Sequence, residues 1–275
     1  MTKKQERARQ RRRWEKRRAT QARKAEQRAR LTRVGAVVGV VVVVVGLLGV
    51  LGATLGGSDE AAPAASSSAG ASPSPSGTTL AGCETPPPPL GTSSELDLPD
   101  KRTAAGRTFT ATLTTTCGDI VVRLDGTKAP QAVAAFVALA KANYYQDSPC
   151  HRLVTAETLK VLQCGDPTGT GSGDPGFGYG VENAPKDGRY PRGTLAMART
   201  QDPEKGTGGQ FFVVYGDSTL PDPDGYTVFG RVTKGLDIVD KVAAQGVAPN
   251  DASPDDGSPA APISILRVAV TEEKS

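Results

Sequence analysis

A run of 22 residues without a single charge, Val34–Leu55, constrains this chain more than any other feature. It consists of Val, Leu, Gly and Ala with one Thr54. A helix rises 1.5 Å per residue, so ~20 apolar residues cross the ~30 Å hydrocarbon core of a bilayer. So much Val and Gly would make a poor helix in water, but in lipid the backbone has no partner except itself. A buried core helix of this length would keep a polar face, and a cleaved signal peptide would have a shorter apolar region. A retained transmembrane helix, a signal-anchor, is the expectation.

Charge sets its orientation. Residues 1–33 carry 15 Lys or Arg against Glu6, Glu15 and Glu26, a local charge of +12, which with +4 for the whole chain leaves −8 for the remainder. Asp59 and Glu60 are the first charges beyond the span. The positive-inside rule then places residues 1–33 in the cytoplasm and everything after Leu55 outside it. Over residues 3–33 the tail is expected to lie on anionic lipid, each Lys or Arg near the surface contributing about 1 kcal/mol. Because the excess positive charge belongs to this tail, no nucleic-acid partner is expected.

Residues 56–105 are rich in Ala, Ser, Gly, Pro and Thr, including the run Pro86–Pro89. Such a composition buries too little apolar surface to fold alone and reads as a disordered linker. Within it, Leu80-Ala81-Gly82-Cys83 has the form of a lipoprotein processing box. It starts 25 residues beyond the apolar run, which makes chance the better account.

From about Arg107 short apolar runs alternate with Gly, Pro, Asn and Asp. Phe109–Thr116 and Ile120–Asp125 read as a hairpin turning at Cys117-Gly118-Asp119. Pro130–Ala142 has apolar residues at Val133, Phe136, Val137 and Ala140, a helical spacing opened by proline. Further strands are expected over Cys150–Val154, Leu159–Cys164, Gly193–Arg199, Gln210–Tyr215, Thr227–Val232 and Ile263–Val270, with a second helix at Gly235–Gln245. The fold class is mostly β: about eight antiparallel strands that most economically close into a barrel, with two helices.

The usual catalytic constellations are missing. His151 is the sole histidine, so no Ser-His-Asp triad or multi-histidine metal site can be built. Gly169–Gly180 is glycine-rich, but no P-loop Lys-Ser/Thr follows it. What remains is chemistry that needs no nucleophile, metal or cofactor.

Five blocks, in order, carry a resemblance: Cys150-His151-Arg152-Leu153, Val161-Leu162-Gln163-Cys164-Gly165-Asp166, Gly193-Thr194-Leu195-Ala196-Met197-Ala198, Gly209-Gln210-Phe211-Phe212-Val213 and Tyr226-Thr227-Val228-Phe229-Gly230-Arg231-Val232. Over residues ~106–272 the chain resembles the cyclophilin-type peptidyl-prolyl cis-trans isomerases, in the form of their membrane-anchored bacterial branch. The resemblance implies a closed eight-stranded barrel and an enzyme acting on proline-containing polypeptides, here exported or envelope proteins. It implies Arg152 as donor to the prolyl nitrogen, Gln163 orienting that arginine, and Phe212 as the aromatic floor of the proline pocket. Val161 stands in the place of the usual methionine, Ala198 and Gln210 line the groove, and Leu220 and Tyr226 fall at further pocket positions. His151 points away from Arg152 by strand alternation and is read as a packed structural residue.

Several positions depart from the family's pattern. Lys160, or Leu159 if the loop shifts, stands where phenylalanine is usual, and Arg199 where asparagine is. Leu220 replaces the tryptophan of cyclosporin-sensitive members and Tyr226 a histidine. The family hairpin favours a Cys150–Cys164 bridge, which leaves Cys83–Cys117. Alternation puts Cys150 and Cys164 on opposite faces, so that bridge calls for a bulge in the longer loop, with buried free thiols as the alternative. A second function class, a binding module or holdase for Pro-containing segments, stays open beside the enzyme.

Overall fold

The computed structural model describes residues 79–249 and 251–274. The basic tail 1–33, the apolar run 34–55 and the linker up to residue 78 lie outside the described residues. Among the described residues no helix is long and apolar enough to cross a membrane.

After a short 3₁₀ helix at Lys101–Thr103 come β1 (Thr108–Thr115) and β2 (Gly118–Asp125), paired antiparallel from Thr108↔Asp125 to Thr115↔Gly118. Alternation accounts for the pair: Phe109, Ala111 and Leu113 face Ile120, Val122 and Leu124 inward, while Thr108, Thr110, Thr112 and Thr114 face out. Helix α1 (Pro130–Lys141) follows, with proline in its first turn and every position from Ala132 to Ala140 buried except Ala138. No side chain of its own caps it. The Glu182 carboxylate, 50 residues on, accepts the Gln131 and Ala132 N–H groups at 3.0–3.2 Å instead.

The remaining elements are β3 (Ser148–Pro149), β4 (Arg152–Ala156), β5 (Leu159–Cys164), β6 (Arg189–Tyr190), β7 (Thr194–Arg199), β8 (Thr207–Gly216), β9 (Ser218–Thr219), β10 (Val228–Lys234), α2 (Leu236–Ala243), β11 (Asp256–Gly257) and β12 (Ser264–Glu272). Ten strands form one curled sheet in the order β11-β4-β5-β8-β7-β10-β2-β1-β12-β3, and β6 pairs separately with β9. The expected closed eight-stranded barrel is corrected: the ladder ends at β11 and β3 and does not return on itself. Pro149 has no N–H, and the chain leaves strand geometry at Cys150 and His151 before resuming as β4, so ladder pairing breaks there. The Cys150 N–H still donates to the Ile263 carbonyl at 2.9 Å.

Inside the curl Phe136 of α1 meets Tyr145, Phe211 and Phe229 at centroid distances of 5.1–5.5 Å. A second, smaller apolar cluster of Val154, Val161, Tyr190, Ala196, Phe212 and Val214 lies on the opposite face of β4, β5, β7 and β8. The linker expectation also shifts. From Thr79 the chain lies on the domain, with Leu80 and Leu96 packed against the core and Cys83 bonded to Cys117. An Ala/Ser/Pro-rich segment needs no core of its own when it borrows a neighbour's surface.

Candidate active site

The hairpin β4–β5 turns through Glu157 and Thr158 and pairs without a bulge, from Arg152↔Gln163 to Ala156↔Leu159. Period-two alternation then sorts its side chains. Leu153, Leu162 and Cys164 enter the main core, whereas Val154, Ala156, Leu159 and Val161 join the outer cluster. Leu159, not Lys160, thus occupies the pocket face, resolving the two alternatives the sequence allowed. Lys160 instead lies along Gly216, its Cδ 2.6 Å from where a Cβ there would sit.

Strand β8 lies beside β5 with Gln163↔Phe212 and Val161↔Val214 opposed. Phe212 forms the apolar floor. Tyr226 stands over it edge-on at 5.7 Å, and Tyr190 closes the side at 6.4 Å from both rings. The Tyr190 hydroxyl accepts the Tyr226 N–H at 2.8 Å. Ala198 and Leu220 pack at the rim of the same cluster. Tyr190 was not foreseen; an aromatic between Arg189 and Pro191 is the only trace it leaves in the sequence.

The polar side of the groove is a chain of hydrogen bonds. Arg152 Nη1 donates to Gln163 Oε1 at 3.2 Å, Gln163 Nε2 to Gln210 Oε1 at 2.9 Å, and Gln210 Nε2 to the Gly171 and Gly173 carbonyls at 3.0 and 3.2 Å. On its other edge Arg152 is clamped by Asp256, Nε to Oδ1 and Nη2 to Oδ2, each at 2.7 Å. Asp256 escaped the sequence reading because β11 has only two residues and no periodicity. Its hydrogen bonds raise the Arg152 pKa further, against the pull of burial. Three of the five guanidinium N–H groups are engaged, leaving one on Nη1 and one on Nη2 for a substrate.

Arg199 differs from Arg152 in its burial. Its side chain is only 4% exposed and donates to Asp222, the Gly225 carbonyl and the Thr200 carbonyl. Its Cζ lies 5.0 Å from the Tyr226 ring centroid, so it buttresses the pocket wall. Burial pushes the Tyr226 hydroxyl pKa up. His151 packs against Gly171, and burial holds its pKa below the usual imidazole value.

The structure joins Cys150 to Cys164 as well as Cys83 to Cys117. The bulge expected in the longer loop is absent; the break at Cys150 and His151 resets the alternation and turns Cys150 inward beside Cys164. Next to the groove a cavity of ≈ 280 Å³ is lined by Gln163, Gln210, Ala198, Gly173, Asp174 and Pro175 among others. Among the described residues no group of three or more His, Cys, Asp or Glu side chains is placed to hold a metal ion.

A sequence model of the family described as cyclophilin-type peptidyl-prolyl cis-trans isomerase/CLD matches residues 110–270. A probable peptidyl-prolyl cis-trans isomerase B of Mycobacterium tuberculosis is 39% identical over 210 residues, 70% of this chain and 65% of that protein. A peptidyl-prolyl cis-trans isomerase of Helicobacter pylori is 39% identical over 146 residues, 52% of this chain and 85% of that protein. The chain thus spans just under two thirds of the length of the mycobacterial relative. A crystal structure of a Cryptosporidium parvum cyclophilin-type isomerase superposes with a TM-score of 0.49 at 27% identity, covering 61% of this chain and 99% of that one.

Proposed function

The chain belongs to the cyclophilin-type peptidyl-prolyl cis-trans isomerase family, and from that premise we propose that it accelerates rotation about the bond preceding proline in polypeptide substrates. The observation that carries this is Arg152, held rigidly beside an apolar floor with two N–H donors uncommitted.

Amide resonance sets the rotation barrier at ~18–20 kcal/mol. In the twisted state the prolyl nitrogen recovers its lone pair and becomes an acceptor, which the planar amide is not. An Arg152 N–H aimed there stabilises the twisted state alone, and only such selective binding speeds a step. Phe212, Val161 and Leu159 hold the ring by apolar contact, with Tyr226 and Leu220 at the wall. Gln163 fixes one edge of the guanidinium and Asp256 the other, so little reorganisation accompanies the reaction. No proton moves.

For the cellular setting, we propose a single-pass anchor at Val34–Leu55, with residues 1–33 cytoplasmic and the isomerase domain extracytoplasmic, acting on exported or envelope proteins. The uncharged run and the charge asymmetry around it support this. So do the two disulfides, which persist in oxidising compartments. Protease added to intact cells should remove the domain and spare residues 1–33; a protected domain would overturn the orientation.

The activity is tested on the detergent-solubilised full chain with a proline tetrapeptide, following cis-trans exchange by NMR. Accelerated exchange without added metal or nucleotide is expected. Peptide binding with no acceleration would point to a binding module instead.

A further inference from the structure

The wall of the groove is held from behind by a segment lying outside the family-matched residues 110–270. That wall is the stretch Asp166–Gly176, which has no helix or strand and contains Gly169, Gly171, Gly173 and Gly176. Glycine leaves its backbone few internal restraints, so its position depends on what grips it. From within, the Asp166 carboxylate accepts the Thr168 and Gly173 N–H groups, and Gln210 donates to the Gly171 and Gly173 carbonyls.

The outer grip comes from the segment ahead of β1. Ser93 Oγ donates to the Asp174 carbonyl at 2.6 Å and shares a hydrogen bond with the Tyr144 hydroxyl at 2.9 Å. The Leu96 N–H donates to the Pro175 carbonyl at 2.7 Å. Glu95 lies against Gly176, its Cβ 3.1 Å from where a Cβ there would sit. The segment is itself tied down by Cys83–Cys117, by the Glu84 N–H on the Thr116 carbonyl at 2.7 Å, and by Leu80 and Leu96 on the core. Asp174 and Pro175 line the ≈ 280 Å³ cavity beside Gln163. Three consecutive wall residues are therefore held by Ser93–Leu96.

We propose that Ser93–Leu96 is a specificity-setting positioning element: it fixes the wall at Asp174–Gly176 and so governs affinity for the substrate side chain that enters the cavity. The proposal rests on the isomerase reading above. The segment touches neither Arg152 nor Phe212, so its loss weakens ground state and transition state alike, which appears in KM and not in kcat.

The test uses the full chain with Ser93→Ala, which removes both hydroxyl contacts, and Ser93→Thr, which keeps a hydroxyl. For Ser93→Ala, KM for a proline tetrapeptide should rise at least threefold with kcat within twofold of wild type, and amide hydrogen exchange over residues 171–175 should accelerate. Ser93→Thr should stay within twofold of wild type in both constants. The proposal falls if Ser93→Ala leaves KM and exchange unmoved, if it lowers kcat at constant KM, or if Ser93→Thr loses as much as Ser93→Ala. A wild-type chain without turnover on the same peptide would overturn the isomerase reading and this proposal together; an active wild type with an unmoved variant overturns this proposal alone.

Discussion

Phe211 and Phe212 are neighbours in sequence and alike in chemistry, but β8 turns them into unlike surroundings. Phe211 is fully enclosed, edge-on to Phe136 and Tyr145 at 5.5 and 5.7 Å in the main core. Phe212 lies on the outer face against Tyr190 and Tyr226, within reach of Arg152's partner Gln163 on the adjacent strand. The inner face is closed on all sides by the protein's own side chains. The outer face is apolar along its floor and fringed by a hydrogen-bonded chain whose end is left open. One face stores stability, and the other is shaped for a guest.

Swapping each ring for alanine breaks this contrast most sharply. Phe211→Ala should cost about 3–5 kcal/mol of folding stability, as large-to-small changes at enclosed aromatics do. Phe212→Ala should cost less stability and abolish most turnover, since a substrate ring loses its floor. Chemical denaturation and the isomerisation rate, measured on both variants, separate the two faces. Equal stability losses would mean that the outer cluster is ordinary core.

The polar fringe gives the next largest effect. Asp256→Ala should lower kcat several-fold with KM little changed, and Asp256→Asn, which can still accept a hydrogen bond, should lose less. Unchanged kcat in both would show that Gln163 alone orients Arg152. On the inner side, Glu182→Gln should cost about 1 kcal/mol in thermal stability by removing the charge that α1 meets at its N-terminus, while leaving activity intact.

The smallest effect expected is on pH. His151 is half-buried and that burial lowers its pKa, so the folded chain resists its protonation while the unfolded chain takes up the proton near the ordinary value of about 6.5. Between those two pKa values the unfolded state binds more protons, so stability falls as pH drops below about 6.5. Melting temperatures from pH 7.5 to 5 should decline more steeply for wild type than for His151→Asn; parallel curves would reject this.

Much of the contrast was legible in the sequence: period-two alternation puts Phe211 and Phe212 on opposite faces, and the family resemblance picks Phe212 and Gln163 for the groove. Arg152, Gln163 and Phe212 were singled out and do converge on one surface, the first two as cross-strand partners. What escaped has a common cause. Asp256 sits on a two-residue strand, Tyr190 on another, and Ser93 in a segment whose composition suggested disorder. Short elements carry no periodicity, and contacts borrowed from a distant surface leave no local pattern. The open ladder was hidden for a related reason: an inventory of strands cannot show that the seam at Cys150 and His151 forgoes its pairing.

The decisive measurement is the isomerisation rate of the full chain carrying Arg152→Ala beside wild type, with far-UV circular dichroism to verify folding. The rate should fall at least tenfold, about 1.4 kcal/mol of transition-state stabilisation or more, with the fold intact. Equal rates in the two folded proteins would contradict it, for then the guanidinium held between Asp256 and Gln163 would take no part in the rotation.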